Sequence, residues 1–381
     1  MRLSFKIAVK SMLLAVLGVL SISLTSLANN PETAHGAENP EHEGKLDIKS
    51  EIFGHIGDSY DWHLFSLGEG HEATHVSVPL PVILYQNGLH VFLSSKFHHG
   101  HEVVESNGEF FKMEKNKIYL SDASGSLQYD EKGQITNARP AFDISITKNV
   151  VCLLLSVIIL LVLMTGVAKK YKQNGIHKAP TGFQNALEPV IGFIQDNVAK
   201  PNLGKKYLRF MPLLLTMFFF IWINNLLGLL PFGFNLTGNI AVTLLLALVF
   251  FVVMLFNANK AFWGHIINPP GVPLGVKFIL VPIEILSNLL IKPAALAIRL
   301  FANIFAGHTI ILSIILLIFI FASISKVAGV VFVPVSIAFT IFMFFLELLV
   351  AAIQAFIFTN LTAVFIGQAI EEHHHDEHDH H

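Results

Sequence analysis

The chain has 381 residues, of which 53% are hydrophobic and only 14% are charged, a balance that excludes an ordinary soluble domain and indicates a membrane protein. The formal net charge of −2 gives no sign of a nucleic-acid surface. A single cysteine, Cys152, excludes an intrachain disulfide and a cysteine-rich metal site.

The amino terminus has the pattern of an export signal. Basic Arg2, Lys6 and Lys10 precede a short apolar run that ends in small residues. This order predicts a signal peptide over residues 1–28, with an uncleaved anchor helix as the alternative. In either case, the segment that follows starts outside the cytoplasm.

Residues 29–146 predict an exported extension made of short strands and loops. The segment is polar, and turn signals such as Asn87-Gly88 and Ser124-Gly125 separate alternating stretches. Its histidines lack the tight spacing of metal ligands, so we predict neither a metal nor a cofactor.

The membrane domain is predicted over residues 147–370. Lysines follow the apolar run at 149–168, which places the end of this span in the cytoplasm and the extension in the periplasm. Residues 182–198 mix apolar and polar positions at helical spacing, which favours a helix at the cytoplasmic interface. Two further spans are expected near 210–230 and 240–257.

The last two helices are too long to stand upright in a membrane. Residues 274–323 would measure roughly 75 Å and residues 332–370 roughly 58 Å, against a hydrocarbon core of about 30 Å. Each helix must therefore tilt, kink or leave the membrane, and the second carries Pro334. The predicted fold is an all-α polytopic membrane protein with a steeply tilted C-terminal hairpin and a small β-rich N-terminal extension. Five spans place the histidine- and acid-rich tail, 371–381, in the cytoplasm.

Ionisable and amide side chains inside the apolar hairpin are the candidate functional residues, because a mid-helix arginine alone costs about 2.5–3.5 kcal/mol to insert. The candidates are Glu284, Arg299, Asn303, His308, Glu347 and Gln354.

Helical spacing sorts these side chains onto different faces. Arg299 shares a face with Ala295, Ala302, Asn303 and Ala306, a strip of small residues that would let another helix approach closely. We interpret Arg299 as a buried arginine on a face that a moving partner could pass.

The other candidates are predicted to lie behind that face. Glu347 and Gln354 are seven residues apart and align on one helix, while His308 lies opposite Arg299 and can join Glu347. Along the axis, Glu284 lies about 22 Å to one side of Arg299 and His308 about 14 Å to the other. Carboxylate and imidazole groups take up and release protons, whereas a guanidinium stays charged.

Structural roles remain open at this point. Arg299 could pair with Glu347 only to hold the hairpin together, and His308 could be a hydrogen-bonded packing residue. Asn303 and Gln354 could form ordinary helix–helix hydrogen bonds.

Two sequence runs resemble motifs of the ATP synthase subunit a family. The run 292–308, KPAALAIRLFANIFAGH, resembles the family's arginine motif, and 349–358, LVAAIQAFIF, resembles its last-helix motif. A weaker likeness lies at 224–231, NNLLGLLP, and the resemblance covers roughly 147–370.

The resemblance implies a six-helix, non-catalytic proton-channel subunit of a rotary ATP synthase, with Arg299 facing the carboxylates of the rotor. His308 and Glu347 would be the family's acid and histidine in swapped order, on a proton path with Asn303 and Gln354. Glu284 is one residue out of register with the usual cytoplasmic-side acid. The implied partners are the rotor proteolipid ring (c-ring), subunit b of the peripheral stalk, the catalytic head indirectly, and the lipid bilayer.

Two other functions compete with this interpretation. A metal or cation transporter could gather ions with its histidine-rich ends, but it would need ligands on several helices, and only His308 and Glu347 are available inside the membrane. A non-transporting assembly scaffold would leave Arg299 unexplained.

Overall fold

The structure is a computed structural model that describes residues 57–67, 74–130, 134–174, 179, 182–230, 234–267 and 273–370. The predicted signal peptide and the histidine-rich tail lie outside these residues. So does the first part of the extension, up to residue 56.

The longer helices of the described residues are labelled in chain order. They are α1 (Lys148–Asn174), α2 (Phe183–Ile194), α3 (Tyr207–Gly228), α4 (Ile240–Asn257), α5 (Lys260–Ile267), α6 (Leu274–Leu286), α7 (Lys292–Ile324) and α8 (Lys326–Ile370). The strands are β1 (Asp61–Leu67), β2 (Thr74–Pro79), β3 (Pro81–Tyr85), β4 (Leu89–Leu93), β5 (Val103–Ser106), β6 (Glu109–Glu114), β7 (Lys117–Ser121) and β8 (Phe142–Asp143).

The extension is built from strands, as predicted. Its described part contains three small antiparallel sheets, ordered β1-β2, β4-β3-β8 and β5-β6-β7. Asn87 and Gly88 join β3 to β4 with φ angles of 50° and 156°, the positive values that a tight hairpin turn requires. A core of aromatic and aliphatic side chains, including Phe97 and Phe111, fills the space between the sheets.

Five segments are long and apolar enough to cross a membrane, which matches the five predicted spans. They are Lys148–Gln173, Phe183–Gly228, Ile240–Asn257, Gly275–Ile318 and Gly329–Ile370. The chain is therefore a mostly helical, multi-pass membrane protein.

The second segment contains the predicted interfacial helix. Helix α2 runs through a π-helical turn, Gln195–Ala199, and the helical path breaks near Gly204, whose φ angle is 51°. A short helical stretch with Pro201 near its start follows the π turn. Proline has no N–H to donate, and its ring crowds the preceding turn of a helix. A single widened turn in front of the proline is one way in which the helix accommodates it.

The hairpin is longer than the sequence suggested. A second π-helical turn, Ser287–Ile291, joins α6 to α7, again just before a proline, Pro293. Only Ser325, in an extended conformation, separates α7 from α8. The predicted start of the last helix at residue 332 is therefore wrong by six residues, since the apolar residues after Ser325 continue the helix and Pro334 lies inside it.

The membrane helices share one core. Helix α3 packs mainly on α8 and α1, with its side chains Leu214, Met217 and Ile221 fully buried. On the hairpin, the small side chains Ala297 and Ala355 face this core. Because they are small, α8 lies close to α3 and α7 lies close to α4, and this places the polar residues of neighbouring helices within reach of one another.

The extension caps the first membrane helix through main-chain groups. The carboxylate of Asp58 accepts hydrogen bonds from the main-chain N–H of Asn149 and of Ser59, each at 3.0 Å. The N–H of Lys148 donates to the Ser59 carbonyl at 2.9 Å. These residues satisfy donors that the first turn of α1 would leave unpaired. A second contact is the edge-to-face pair of Trp62 and Phe234, 4.9 Å apart, beside the start of α4.

We predict that Asp58→Ala loosens the extension from α1. Loss of a helix cap costs about 1 kcal/mol, which in a domain of this size lowers the unfolding midpoint by roughly 4–8 °C. The measurement is the temperature at which the extension becomes sensitive to protease in reconstituted vesicles.

The matched control is Asp122→Ala. Asp122 holds an exposed turn through Ser124 and Ser126, and these hydrogen bonds lower the pKa of its carboxyl. An equal fall in both variants would mean that the junction at Asp58 has no special part in holding the extension.

Candidate functional site

Arg299 lies on an exposed face of α7, which agrees with the outward face predicted from the helical spacing, so it is not buried among the described residues. Ala295, Ala302, Asn303 and Ala306 are exposed with it, so the predicted strip of small residues exists and is open. Among the described residues, the guanidinium has no hydrogen bond or ion pair, so it does not hold the hairpin together by pairing with Glu347. The strip is a surface with one fixed positive charge that the described part of the chain leaves uncovered.

Glu347 of α8 lies beside the Arg299 strip, in the interface between the two hairpin helices. Its side chain is 8% exposed, and its carboxylate oxygens accept no hydrogen bond from the described residues. The carboxyl group packs directly against Gly307, where a Cβ would lie 2.7 Å from Glu347 Cδ and still closer to an oxygen. Glycine at 307 is what makes room for this acid between the helices.

Asn303 and Gln354 join the two helices one to two turns further along. The Asn303 amide donates to Gln354 Oε1 at 2.6 Å. Gln354 is 1% exposed, and its own amide nitrogen has no partner among the described residues. The predicted alignment of Glu347 with Gln354 is therefore confirmed as a buried polar stripe on α8, and Asn303 links that stripe to the exposed strip.

His308 points toward α3 rather than toward the acid. Its Nε2 lies 3.6 Å from where a Cβ on Gly228 would be, and the same position is 3.3 Å from the carbonyl oxygen of Phe234. The predicted union with Glu347 is not a direct hydrogen bond. His308 and Glu347 lie on two sides of α7 because Gly307, not His308, faces α8.

A buried amide cluster next to these residues was missed by sequence reasoning. Asn225 of α3 donates to the carbonyl of Ala351 at 3.3 Å and accepts from the Thr237 hydroxyl at 3.0 Å. Asn235 is also buried, and both atoms of its amide lack a partner among the described residues. Asn225 and its neighbour Asn224, the only two consecutive asparagines in an apolar run, were the signal that could have revealed it.

Glu284 lies at the far end of the hairpin from this cluster. Its main-chain oxygen accepts from the Asn288 amide at 2.9 Å. Lys292 donates to Asn288 at 2.6 Å and to Gln368 of α8 at 3.1 Å. This second polar group is separated along α7 from the one around Glu347 and His308, and Arg299 lies between the two.

The arrangement suits the transfer of protons better than the binding of a metal. Carboxyl and imidazole groups exchange protons, and amide or hydroxyl groups can order the water that carries them. Within the described residues, no group of three or more His, Cys, Asp or Glu side chains could hold a metal ion. The fixed guanidinium can attract a passing carboxylate but cannot itself relay a proton.

We predict that Gly307→Ala slows proton movement without unfolding the helix. Alanine favours the helix by roughly 1 kcal/mol over glycine, but its methyl group would displace the Glu347 carboxyl. Such a displacement should lower the pumping rate by roughly tenfold or more. The rate is measured in vesicles with equal amounts of the protein.

Gly275→Ala is the matched control, because a Cβ at that helical glycine would meet no atom within 4 Å. If both alanine variants pump at the same rate, close packing of Gly307 on Glu347 is not required.

Comparison with known proteins gives two family matches. A model described as "ATP synthase A chain" matches residues 150–367. A second model, a domain of unknown function, matches residues 51–144, which include most of the described extension.

Several curated proteins are similar over the membrane domain. "ATP synthase subunit a 2" of Chlorobaculum tepidum is 47% identical over 245 residues, which are 63% of this chain and 67% of that relative. "ATP synthase subunit a" of Chloroherpeton thalassium is 44% identical over 246 residues, 63% of this chain and 71% of the relative. The protein of the same description from Anaeromyxobacter dehalogenans is 39% identical over 247 residues, 62% of this chain and 61% of the relative.

Proposed function

From the premise that this chain belongs to the ATP synthase A chain family, we propose that Arg299 and the polar stripe behind it carry the proton-translocating function of a rotary ATP synthase stator. The observation that carries the assignment is the separation of charges around α7. A fixed cation occupies an open strip of small residues, while a buried acid, Glu347, lies beside that strip in the interface between α7 and α8. The cation transporter considered from the sequence has no comparable support.

The chain is a component of a multisubunit ATP synthase, and within that complex its own role is non-catalytic. The strip around Arg299 receives the rotor proteolipid ring (c-ring), whose carboxylate is attracted by the guanidinium. Subunit b of the peripheral stalk holds the chain in place, and the catalytic head is engaged indirectly. The small side chains of the strip suit this role because they let a helix of the ring pass closely.

Protons reach the ring from the side of His308. They pass the amide cluster at Asn225, then Glu347 and Gln354, and Asn303 brings the path to the edge of the strip. Because no hydrogen bond joins His308 to Glu347, a water molecule completes the relay between them. Release takes place at the other end, near Glu284.

Arg299 keeps the two paths apart. A guanidinium remains protonated at any physiological pH, so a proton cannot cross by hopping through it. A carboxylate that arrives ionised is stabilised beside it, and a protonated one moves on. Proton flow becomes rotation because each proton must travel with the ring, and the membrane potential supplies about 2.3 kcal/mol per charge per 100 mV.

The topology follows from the lysines at the end of α1. They place the C-terminus in the cytoplasm and the extension in the periplasm of a bacterial inner membrane. The domain limits remain as deduced from the sequence: signal peptide 1–28, extension 29–146, membrane domain 147–370 and tail 371–381.

We predict that Arg299→Ala abolishes ATP synthesis driven by a proton gradient while the complex still assembles. A neutral side chain can neither hold the ring carboxylate ionised nor block direct leakage between the two paths. Synthesis and passive proton leak are measured in inverted vesicles. Arg209→Ala, which removes another exposed arginine at the start of α3, is the control and should retain synthesis. Normal coupling in Arg299→Ala would exclude the arginine from the mechanism.

We predict that His308 and Glu347 act on one path although no hydrogen bond joins them. His308→Ala and Glu347→Ala should each slow pumping, and the double variant should be less impaired than the product of the two effects. The pair His308 and Glu188 serves as control, because Glu188 is exposed on α2 and its removal should combine multiplicatively. Multiplicative effects for His308 with Glu347 would show that they serve separate steps.

A further inference from the structure

One face of the β4-β3-β8 sheet is apolar, and no other residue that the structure describes covers it. Six outward side chains define this face, which is called the apolar face below: Tyr85, Leu89, Val91, Leu93, Phe142 and Ile144. Each is between 47% and 60% exposed. The strand pairing places them on one side, because residues directly opposite each other in an antiparallel pair point the same way.

The opposite side of the sheet packs into the core of the extension, so the fold of the extension does not require the apolar face to be buried. Val82, Leu84 and Phe92 point inward to the extension's core, where each is at most 7% exposed. Asp143 and His90 also lie on the inward side, so within these three strands the outward side carries no charged residue. The face exposes apolar surface on the order of 600 Å², at the upper end for a soluble monomer, and surfaces of this kind mark interaction sites.

The sheet is fused to a membrane-spanning helix. After β8, the chain stays bonded to β3, with Ile144 N–H donating to the Ile83 carbonyl at 2.8 Å and Ile146 N–H to the Pro81 carbonyl at 3.0 Å. Helix α1 starts two residues later, at Lys148. No flexible linker therefore separates the sheet from the bilayer.

The distances place part of the apolar face at headgroup depth. Pro81 pairs with Leu93 on one side and bonds Ile146 on the other, so these three residues form one row across the strands. Because Ile146 is two residues before Lys148, this Leu93 row lies within about 7 Å of the start of α1 along an extended chain. A headgroup layer is about 5–7 Å thick. The Val91 row lies at most about 13 Å away and the Leu89 row about 20 Å away. If the sheet is tilted toward the bilayer, all three rows can reach the membrane surface.

Two contacts hold the extension low on the membrane domain. Asp58 caps the start of α1, and Trp62 packs on Phe234 beside the start of α4. An extension attached at the ends of two membrane helices cannot swing away from the bilayer. The aromatic side chains Tyr85 and Phe142, with ring centroids 6.3 Å apart, are the types that occur at membrane surfaces.

We propose that the apolar face is a membrane-surface contact that seats the extension in the headgroup layer of the adjacent leaflet. That leaflet is the periplasmic one if the topology under the proposed function holds. A lipid surface fits better than a protein partner because the segment with Phe142 and Ile144 leads directly into α1, whose Ile158 and Val162 are exposed apolar side chains. The area of the face is also below the roughly 800 Å² per partner of a stable protein interface. With this contact, the extension is held in a fixed position on the membrane surface beside α1 and the start of α4.

The test places a spin label on the apolar face of the full subunit in the assembled complex, reconstituted in phosphatidylcholine–phosphatidylglycerol vesicles. The background is Cys152→Ser, since Cys152 is the only cysteine. Val91→Cys and Leu93→Cys carry the label on the face, and Glu105→Cys carries it on an exposed strand of another sheet. Collision rates with oxygen and with a water-soluble nickel chelate are compared.

If the face contacts lipid, the Val91 and Leu93 labels collide several-fold more with oxygen relative to nickel than the Glu105 label does. High nickel access at all three positions would mean that the face stays in water and would overturn the proposal. Low access to both reagents at Val91 and Leu93 would mean that a protein covers the face, which also overturns it. Two face positions guard against a single substitution that disturbs the sheet.

The outcome is independent of the proposed function. A membrane-impermeant thiol reagent applied to intact cells carrying Glu105→Cys reports the side on which the extension lies. Proton pumping of the Cys152→Ser background reports whether the complex is coupled. The lipid contact can therefore fail while coupling and topology stand, and the reverse also holds.

Discussion

A permanently charged guanidinium on a helix that crosses hydrocarbon is the constraint on which the rest of the membrane domain depends. Lipid cannot solvate Arg299, and a mid-helix arginine costs about 2.5–3.5 kcal/mol to insert on a lone helix. The chain leaves the charge on an open strip of α7 rather than pairing it with Glu347. The small side chains around Arg299 let a second protein come close, as the proposed contact with the rotor ring requires.

Glycines set the geometry on the other faces of the same helix. Gly307 gives the Glu347 carboxyl its place between α7 and α8, and Gly228 lets His308 lie against the end of α3. The adjacent residues Gly307 and His308 of α7 thus contact two different helices, α8 and α3. The protonatable groups are therefore spread around α7 instead of forming one pair. In the proposed proton path, water bridges the gap between His308 and Glu347, so that path depends on how tightly these helices pack as well as on the identity of the titratable residues.

The extension adds a second layer on the same side as Asn225, Thr237 and Asn235. Its contacts with the membrane domain are few but directional: a carboxylate at the start of α1 and an aromatic pair on Phe234. Burial raises the pKa of Asp58, and the hydrogen bonds from the main-chain N–H groups of Asn149 and Ser59 partly offset this rise. Since Phe234 also contacts the region of Gly228 and His308, the extension, the loop before α4 and the polar cluster form one continuous structure.

The sequence by itself determined the number of spans, the strand-rich character of the extension, the hairpin turn at Asn87-Gly88 and the candidate side chains. These depend on the length of apolar runs and on local turn chemistry, which a chain carries without knowledge of its neighbours. It also placed Arg299 with its strip of small residues, because positions on one helix follow from the helical repeat.

Only the tertiary structure decided which helix each face meets. The exposure of Arg299, the packing of Glu347 on Gly307, the turn of His308 toward α3 and the amide cluster at Asn225 all depend on how helices cross and rotate against one another. The start of the last helix at Lys326 also depended on the tertiary structure, because only Ser325 interrupts a long helical segment that is apolar on both sides of it. The helical repeat is a property of one segment, whereas a contact between helices is set by the packing of several, and a single sequence does not contain that packing in readable form.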